Sequence, residues 1–433
     1  MFGRTVFILL IAFVGLCSGL PAALAADVVE FISGATMQGK VLEIRKAAKE
    51  FDVEVQVGPK VVKRTYRFDQ VHAVTLNGAR HELTPKAASG AAAGKGVKRT
   101  KAEVLEHIER VGSTPPDWFA TTASQPPKTL DLDWPLQPPD KGWNNQVNFG
   151  QYKWDVINPN PNRWRQGVKL VHEIMTRHEK NSTLLRRDME VLGSMYFELF
   201  QDYARAAFWY RKAAIKLPDP QAIHLAECYW RLGNEAMALE ILRGKQLPAS
   251  AIKLLGDLGQ TDRAVKLATS FAKAFPDRAA EPLLLAGDAC RTAGKFDEAI
   301  EFYEAVLQGK NARNKDYEQL YAARARESIE AIRLFEQTDL SRVADGVYPG
   351  ESTGYSGAIK IQVTVAGGKI EAVEVLSHSE KQFYAALTDT PAQIIDKQSV
   401  RGIDATSRAT ITSQAIVNAT AKALASGSAG GSN

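Results

Sequence analysis

The stretch from Asp404 to Ser413, DATSRATITS, contains three threonines, two serines and one arginine, and an alanine-rich helical pattern follows it. The start of a helix presents backbone N–H groups without partners, and the helix dipole favours an anion there, above all a phosphate. The hydroxyl groups would add hydrogen-bond donors, and the small Ala409 would let the backbone approach a ligand closely. Serine and threonine are also good N-caps. The spacing alone therefore leaves two interpretations open, a phosphate site and a well-capped helix.

A second hydroxyl-bearing stretch lies near the N-terminus, where ISGATMQG contains Ser33-Gly34-Ala35-Thr36. The following residues, Met37-Gln38-Gly39, lead into a predicted strand, and no predicted helix follows to receive a phosphate. We therefore interpret this stretch as a hairpin turn and not as a phosphate site.

The remaining polar residues form no pattern typical of catalysis or metal binding. The seven histidines are scattered without H-x-x-x-H or H-E-x-x-H spacing, and no C-x-x-C motif occurs, so the sequence predicts no metal site. No set of nucleophile, base and acid is visible, so we predict no catalytic residues. Cys228 and Cys290 fall in helical patterns two repeats apart, which favours two buried thiols over a disulfide.

The first residues predict export. Arg4 precedes an apolar run from Val6 to Leu16, and Ala23-Leu24-Ala25 follows, an order typical of a secretory signal peptide over residues 1–25. The net charge of +5 in 433 residues is mild, and acidic and basic residues are interspersed, so we expect no nucleic-acid partner. We expect the mature chain in the periplasm or another extracytoplasmic space, associated with the membrane through partner proteins.

The next two segments differ sharply in composition. Short runs rich in Val, Ile, Phe and Tyr predict a small SH3- or Sm-like β-barrel over residues 26–84. Residues 85–160 read as a flexible linker followed by a strap rich in proline and tryptophan. Linkers seldom carry such large apolar side chains, so we expect the strap to pack on a neighbouring domain; a sugar-binding platform is the alternative. The tryptophans in or just after the strap are Trp118, Trp134, Trp143, Trp154 and Trp164.

Residues 161–340 have a helical period and a repeated pattern. Ala206 and Tyr210 recur as Ala299 and Tyr303, where a small residue would let two helices approach and an aromatic ring would fill the groove. This pattern resembles the tetratricopeptide repeat, in which ~34 residues form a helix pair. Such arrays usually present a concave surface to protein partners. A spacer that holds the other domains apart is the alternative.

Residues 341–426 return to a mixed pattern of strands and helices. Apolar and polar residues alternate from 359 to 365, which predicts a half-buried strand, and Gly367-Gly368 predicts a turn into a second strand. Thr390-Pro391 suits the N-cap and first turn of a helix.

A last helix is predicted to begin near Thr412 or Ser413, and its apolar face would contain Ile416, Thr420 and Leu424. Residues 427–433 are predicted to form a disordered tail. The expected fold class is therefore multidomain α+β: a small barrel, a helical-hairpin array and a C-terminal α+β domain.

The ordered motifs after residue 345 resemble the FMN-binding domain of the G subunit of Rnf electron-transport complexes and of the C subunit of the sodium-pumping NADH:quinone oxidoreductase. That family opens with D-G-x-Y-x-G and G-Y-x-G, which residues 345–350 and 354–357 match, and its strand turn is matched by residues 368–370. Its signature is D-x-x-[ST]-G-A-[ST]-x-[ST]. The positions that match this signature are Asp404, Ser407, Ala409, Thr410 and Thr412.

In that family the threonine after the alanine carries FMN through a phosphoester bond, which a magnesium-dependent flavin transferase installs from FAD outside the cytoplasm. The resemblance implies that Thr410 is a covalent FMN acceptor. It implies an electron-transfer module more than a stand-alone enzyme, docked through its helical repeats to partner proteins such as a redox membrane complex. The other cofactor-binding residues that it implies are Ala409, Ser407, Asp404, Arg408, Thr412, Tyr355, Gly354 and Gly357.

Arg408 stands where the family has a glycine. If that position needs a positive φ, an arginine there costs roughly 1–2 kcal/mol, and its bulk could also block the transferase. Conversely, its guanidinium could hold the flavin phosphate through a charge-assisted hydrogen bond, which is our hypothesis. Two rivals stay open: a non-redox protein-interaction scaffold with an unflavinylated domain, and reversible FMN binding at the same loop.

Overall fold

A computed structural model of the chain describes residues 27–31, 36–45, 49–57, 60–68, 71–76, 79–83, 97–134, 142–309, 312, 314–380, 384–406 and 409–429. It contains an N-terminal antiparallel sheet, a helical middle and a small C-terminal sheet with helices, which confirms the mixed helical and sheet class. The predicted signal peptide lies outside the described residues. Within the described ranges, no helix has both the length and the hydropathy needed to cross a bilayer.

The N-terminal sheet has six described antiparallel strands in the spatial order β4-β3-β2-β1-β5-β6. Its core contains Val29, Phe51 and Val53. Thr36 is the first residue of β2 and pairs with Glu30 of β1, so this threonine leads directly into a strand. An SH3-like barrel is not confirmed. The strands are β1 (Asp27–Phe31), β2 (Thr36–Arg45), β3 (Glu50–Val57), β4 (Lys60–Arg67), β5 (Val71–Leu76) and β6 (Ala79–Glu82).

The helical middle is an array in which successive helices pack as pairs. Its described helices are α1 (Lys101–Gly112), α2 (Phe149–Tyr152), α3 (Trp164–Arg177), α4 (Ser182–Met195), α5 (Tyr203–Lys212), α6 (Gln221–Arg231), α7 (Glu235–Leu242), α8 (Ala251–Asp257), α9 (Thr261–Ala274), α10 (Ala280–Thr292), α11 (Phe296–Gln308) and α12 (Lys315–Arg333). Two π-helical turns, Lys153–Ile157 and Tyr196–Phe200, interrupt the first part. Cys228 and Cys290 are buried free thiols.

Two of the helix pairs, α4–α5 and α10–α11, share one packing feature, a glycine on the first helix beneath a buried tyrosine of the second. A Cβ on Gly193 of α4 would lie 2.6 Å from the ring of Tyr210, and a Cβ on Gly287 of α10 would lie 2.5 Å from the ring of Tyr303. Both tyrosines are fully buried. The aromatic residues singled out by the repeat pattern therefore fill the space that glycine leaves open.

Trp118 and Trp134 of the strap pack on the array, and Trp164 belongs to the array itself as the first residue of α3. Trp118 stacks on Phe200 with ring centroids 5.8 Å apart, and Trp164 meets the same ring edge-on. Trp134 is buried against Phe149. In contrast, Trp143 and Trp154 are 42% and 50% exposed, so these two do not serve as anchors.

A buried histidine ties the strap to the array. His178 Nδ1 lies 2.7 Å from Asp188 Oδ2, and its Nε2 lies 3.0 Å from Asp133 Oδ1 in the strap. Trp134 Nε1 donates to Asp188 Oδ1 at 2.7 Å. Because both ring nitrogens face carboxylates, only the imidazolium can donate to both. Burial opposes this charge, but the bonds to Asp133 and Asp188 outweigh it and raise the pKa of His178.

The C-terminal unit has three antiparallel strands, β7 (Gly346–Thr353), β8 (Ala358–Ala366) and β9 (Lys369–Ser377), in that order, followed by α13 (Ala386–Lys397) and α14 (Thr410–Ala429). The apolar residues of β8 are buried in alternation, because successive side chains of a strand point to opposite faces.

Three boundary predictions for this unit were wrong. Pro391 lies inside α13 and not in its first turn, because the helix already begins at Ala386. The last helix begins at Thr410, ahead of the predicted start, because the Ala409 carbonyl already accepts the N–H of Ser413. The helix also continues to Ala429, into the predicted tail.

Helix α14 is buried on all sides and not only along the predicted apolar face. Ile416, Thr420 and Leu424 are buried, but so are Ala415, Val417, Asn418, Ala419 and Ala421 between them. One side packs on β7 and β8, and another packs on α12. A single hydrophobic core thus joins α10–α12 to the C-terminal unit.

Replacing Gly287 with alanine should lower the thermal midpoint of the full chain. The added Cβ would overlap the Tyr303 ring, and overpacking of this kind destabilises by ~1–3 kcal/mol, more than the ~1 kcal/mol that alanine adds in helix propensity. In a Tyr303→Leu background the overlap is gone and the same change should be neutral or stabilising. Calorimetry of the four proteins checks this, and an equal loss in both backgrounds would contradict it.

Stability should fall as pH rises through the raised folded-state pKa of His178. A histidine whose pKa is higher in the folded than in the unfolded state stabilises the fold. This stabilisation is complete at pH values below the unfolded-state pKa of ~6.5, and it is lost at pH values above the folded-state pKa. Burial raises the pKa of Asp188, which acts in the same direction. The difference in thermal midpoint between wild type and His178→Gln should therefore shrink from pH 6 to 8. The control His81→Gln changes an exposed histidine and should show no such trend.

Candidate functional site

The loop before α14 folds back on the first turns of the helix. The Ala409 N–H donates to the Thr406 carbonyl at 2.9 Å, and the Ala409 carbonyl accepts the Ser413 N–H at 2.9 Å. The Thr406 N–H donates to Ser413 Oγ at 2.9 Å. Ala409 is therefore the N-cap residue, and Thr410 is the first residue of the helix, with a half-buried side chain.

Side chains of α13 hold the other side of this loop. The Thr406 hydroxyl donates to Asp389 Oδ2 at 2.7 Å. Gln393 accepts the Asp404 N–H at 3.2 Å and donates to the Asp404 carbonyl at 3.1 Å. Asp389 and Gln393 lie one helical turn apart on the same face. Neither residue was predicted, because the predicted helix began at Thr390 and left Asp389 outside it, whereas the helix begins at Ala386.

The loop between β7 and β8 carries the G-Y-x-G motif and turns tightly. The Gly354 N–H donates to the Gly357 carbonyl at 2.8 Å, and Gly357 has φ +145°, a conformation that side chains disfavour. Tyr355 is half-buried, and its hydroxyl lies 3.2 Å from that of Tyr317 on α12. The motif therefore contacts the helical array as well as its own sheet.

Glu380 joins the G-Y-x-G loop to the start of α14. Its Oε1 accepts the N–H groups of Tyr355 at 2.7 Å and Ser356 at 3.4 Å, and the Thr412 hydroxyl bonds the same carboxylate. Burial raises the pKa of Glu380, and these three donors oppose that rise. A Cβ on Gly354 would overlap Oε1, so the glycine is needed for this contact. Glu380 lies outside every motif recognised in the sequence, so it was not predicted as a site residue.

A cleft opens beside Thr410, and the helical array forms its other wall. Its lining residues are Lys253, Gly256, Asp257, Leu285, Asp288, Ala289, Thr292, Ala405, Thr410 and Gln414. Lys253 and Asp257 form a buried ion pair on α8. Burial raises the pKa of Asp257 to about 6, and the nearby Asp404 and Glu227 add to the rise. The cleft therefore combines charged and apolar residues of the array with residues of the C-terminal unit.

Two polar atoms of residues in the cleft wall lack a hydrogen-bond partner among the described residues, Asp288 Oδ2 on the array side and Gln414 Oε1 on α14. Gln414, on the second turn of α14, is 6% exposed, and its buried Oε1 accepts no hydrogen bond from any described residue. Buried acceptors are normally satisfied, so such an atom points to a donor that the chain itself does not supply.

The structure thus brings most of the predicted cofactor residues into two connected places. Asp404, Ala409 and Thr410 share the loop beside the cleft, and Thr412 joins the G-Y-x-G loop through Glu380. Ser407 and Arg408 lie outside the described residues.

Comparison with known families agrees with both resemblances. Residues 354–425 match the FMN-binding domain, and residues 280–308, which contain the pair α10 and α11, match the tetratricopeptide repeat. An 86-residue stretch is 40% identical to an uncharacterized protein of Treponema pallidum (strain Nichols), and it covers 19% of this chain and 24% of that relative. The chain thus spans about a quarter of that relative's length. No solved structure matches the chain.

The start of α14 suits a phosphate, because its first turn presents backbone N–H donors beside Thr410. The cleft itself does not fit the rest of FMN. Among the described lining residues, the one ammonium, Lys253, is already paired with Asp257, and the Asp288 carboxylate lies in the same wall. The free space in the cleft is about 10 Å³, enough for about one water molecule. The cleft is therefore too small and too acidic to enclose the flavin.

Replacing Glu380 with alanine should destabilise the C-terminal unit by ~1–3 kcal/mol, because it leaves buried N–H groups without an acceptor. Faster amide hydrogen exchange at Tyr355 and Ser356, with a lower thermal midpoint, would be the signature. Glu371→Ala removes an exposed carboxylate from the same unit and should change neither quantity. Equal effects of the two substitutions would refute the bridging role of Glu380.

Proposed function

We propose that this chain is an exported flavoprotein that carries FMN covalently on Thr410 and serves as an electron-transfer module. The observation that supports it most is the position of Thr410. Within the stretch that matches the FMN-binding domain, this residue is the first of a buried helix, where backbone N–H groups and the helix dipole favour a phosphate.

The attachment would join the Thr410 Oγ to the FMN-side phosphorus of FAD, with a flavin transferase as catalyst. The Oγ–P bond forms, the P–O bond to AMP breaks, AMP leaves, and the hydroxyl proton is released to solvent. The N–H groups at the start of α14 would stabilise the charge of the resulting phosphodiester. Arg408 would add a charge-assisted hydrogen bond to it.

Bound FMN would supply the redox chemistry, and the protein would hold and orient it. A flavin that the cleft does not enclose suits electron transfer to another protein, because its ring system can approach a partner's cofactor. The partners proposed here are the flavin transferase and a redox membrane complex outside the cytoplasm. The N-terminal sheet, if it closes as an SH3-like barrel, would serve as an adaptor.

Contacts within the chain limit where the repeats can bind a partner. Tyr384 donates to the Pro159 carbonyl at 3.0 Å, and Arg291 donates to Asn418 at 2.8 Å. Glu327 of α12 accepts from the Thr353 hydroxyl at 2.6 Å. The FMN-binding domain therefore covers an array surface from the start of α3 to α12. Partner proteins would dock on the faces that remain exposed.

A second function, an unflavinylated scaffold, is favoured by one observation. Helix α14 shares its core with α10–α12, so the domain would stabilise the array even without a cofactor. In that case the domain would serve only to stabilise the array through this shared core, and it would carry no cofactor.

Measuring the intact mass of the exported chain distinguishes the flavoprotein from the unflavinylated scaffold. The exported chain, made with an active flavin transferase, should gain the mass of FMN, and Thr410→Ala should abolish the gain because it removes the acceptor oxygen. Thr36→Ala is the matched control and should keep the gain. No gain in wild type would favour the scaffold. A gain restored by Arg408→Gly would then show that Arg408 closes the site.

A further inference from the structure

The wall of the cleft opposite Thr410 belongs to the helical array and not to the FMN-binding domain. A Cβ on Gly256 of α8 would lie 2.7 Å from that of Ala289 of α10, so these two helices are in direct contact at the cleft. The array therefore faces Thr410 as a closed surface. The residues of this wall are Lys253, Gly256 and Asp257 of α8 and Leu285, Asp288, Ala289 and Thr292 of α10.

This wall leaves too little room for the group that Thr410 is proposed to carry. The free space in the cleft is about 10 Å³, which holds about one water molecule. A phosphodiester and the ribityl chain attached to it are much larger than one water. The charges of the wall also disfavour a phosphate, because Lys253 is paired with Asp257 and the Asp288 carboxylate lies beside them. The wall and an attached flavin therefore compete for the same space.

The wall cannot make this room by a change of side-chain rotamers, because buried contacts fasten α10 to the FMN-binding domain. Helix α14 shares one hydrophobic core with α10–α12. Arg291 of α10 donates to Asn418 of α14 at 2.8 Å, and both side chains are buried. Asn418 in turn donates to Ser328 of α12 at 3.4 Å. Moving the wall away from Thr410 therefore requires a movement of whole helices that breaks these contacts.

We propose that α8 and α10 form a lid on the flavin attachment site: flavin is attached to Thr410 only while the lid is away from it, and an attached flavin keeps the lid away. This inference rests on the proposed function in that Thr410 accepts the FMN-side phosphoryl group of FAD, with AMP as the leaving group. The arrangement seen here is then the unmodified form of the chain. The array regulates the modification, because the transferase acts on chains in which the lid has not closed.

The first test measures the rate of flavin attachment to the folded full-length chain by intact mass, with purified flavin transferase, FAD and Mg²⁺. Wild type should gain mass slowly, because open chains are a minority of ~10% or less. Asn418→Ala removes the bonds to α10 and α12 and should speed attachment roughly 10-fold. The control Asn162→Ala changes an exposed asparagine of the array and should match wild type. Equal rates in wild type and Asn418→Ala overturn the lid.

Hydrogen exchange shows whether Asn418→Ala loosens the lid or unfolds the domain. Amides of β8 should keep their protection in a loosened chain, because this strand lies in the sheet of the FMN-binding domain. If that protection is lost, Leu285→Ala replaces the variant, since it widens the wall without removing a bond between the two units. Attachment to Leu285→Ala should also be faster than to wild type, and an unchanged rate overturns the lid.

The second test compares the flavinylated chain with the unmodified chain by lysine labelling and mass spectrometry. The side chain of Lys253 is 13% exposed beneath the FMN-binding domain, so an amine-specific reagent should label it faster in the flavinylated chain. Lys266 of α9 is exposed and should be labelled equally in both chains. Equal labelling of Lys253 in the two chains contradicts a lid that an attached flavin holds open.

The two failures are distinguishable. Attachment to folded wild type as fast as to Asn418→Ala overturns the lid and leaves the covalent flavin standing. No mass gain in any chain, including Asn418→Ala and wild type made together with the transferase, defeats covalent attachment and overturns the lid with it.

Discussion

The burial of α14 between its own sheet and the helical array is the constraint on which the rest of the structure depends. A helix can be enclosed on all sides only if small residues let its neighbours approach. The backbone of Ala419 lies so close to Gly350 of β7 that a Cβ there would overlap its carbonyl. On the opposite side, Lys422 pairs with Glu330 of α12 at 3.0 Å. The position of the first residue, Thr410, follows from this enclosure.

Enclosure also brings charged side chains into the interior, and several of them form hydrogen bonds or ion pairs with other buried residues. Arg291 donates to Asn418 at 2.8 Å, and burial lowers its pKa. Asp288 accepts from the Tyr303 hydroxyl at 2.8 Å and lies 3.6 Å from Arg324. Replacing one member of such a pair leaves the other without a partner in a poorly solvated place. The Arg291–Asn418 bond links the two units, whereas the contacts of Asp288 lie within the array. The cleft beside Thr410 is the place where this network meets the loop of the FMN-binding domain.

This arrangement changes the meaning of the helical repeats. A repeat array that stood apart would offer its whole surface to partners. Here part of that surface is occupied by the chain's own C-terminal domain, and the occupied part contributes Lys253 to the cleft.

The sequence by itself determined the local elements and the chemistry of the loop. Alternation identified β8, the Ala–Tyr spacing identified helix pairs, and the ordered motifs around Tyr355 and Thr410 identified the FMN-binding domain. These features depend on residues near one another in the chain.

Only the tertiary structure decided which distant residues meet them. Glu380 reaches Tyr355 and Thr412, and Lys253 reaches the cleft beside Thr410, through packing that no local period encodes. The same holds for α14: its composition predicts a helix, but its burial on every side depends on neighbours contributed by two units. Periodicity specifies which face of an element is apolar, whereas the partner of that face is set by the fold as a whole.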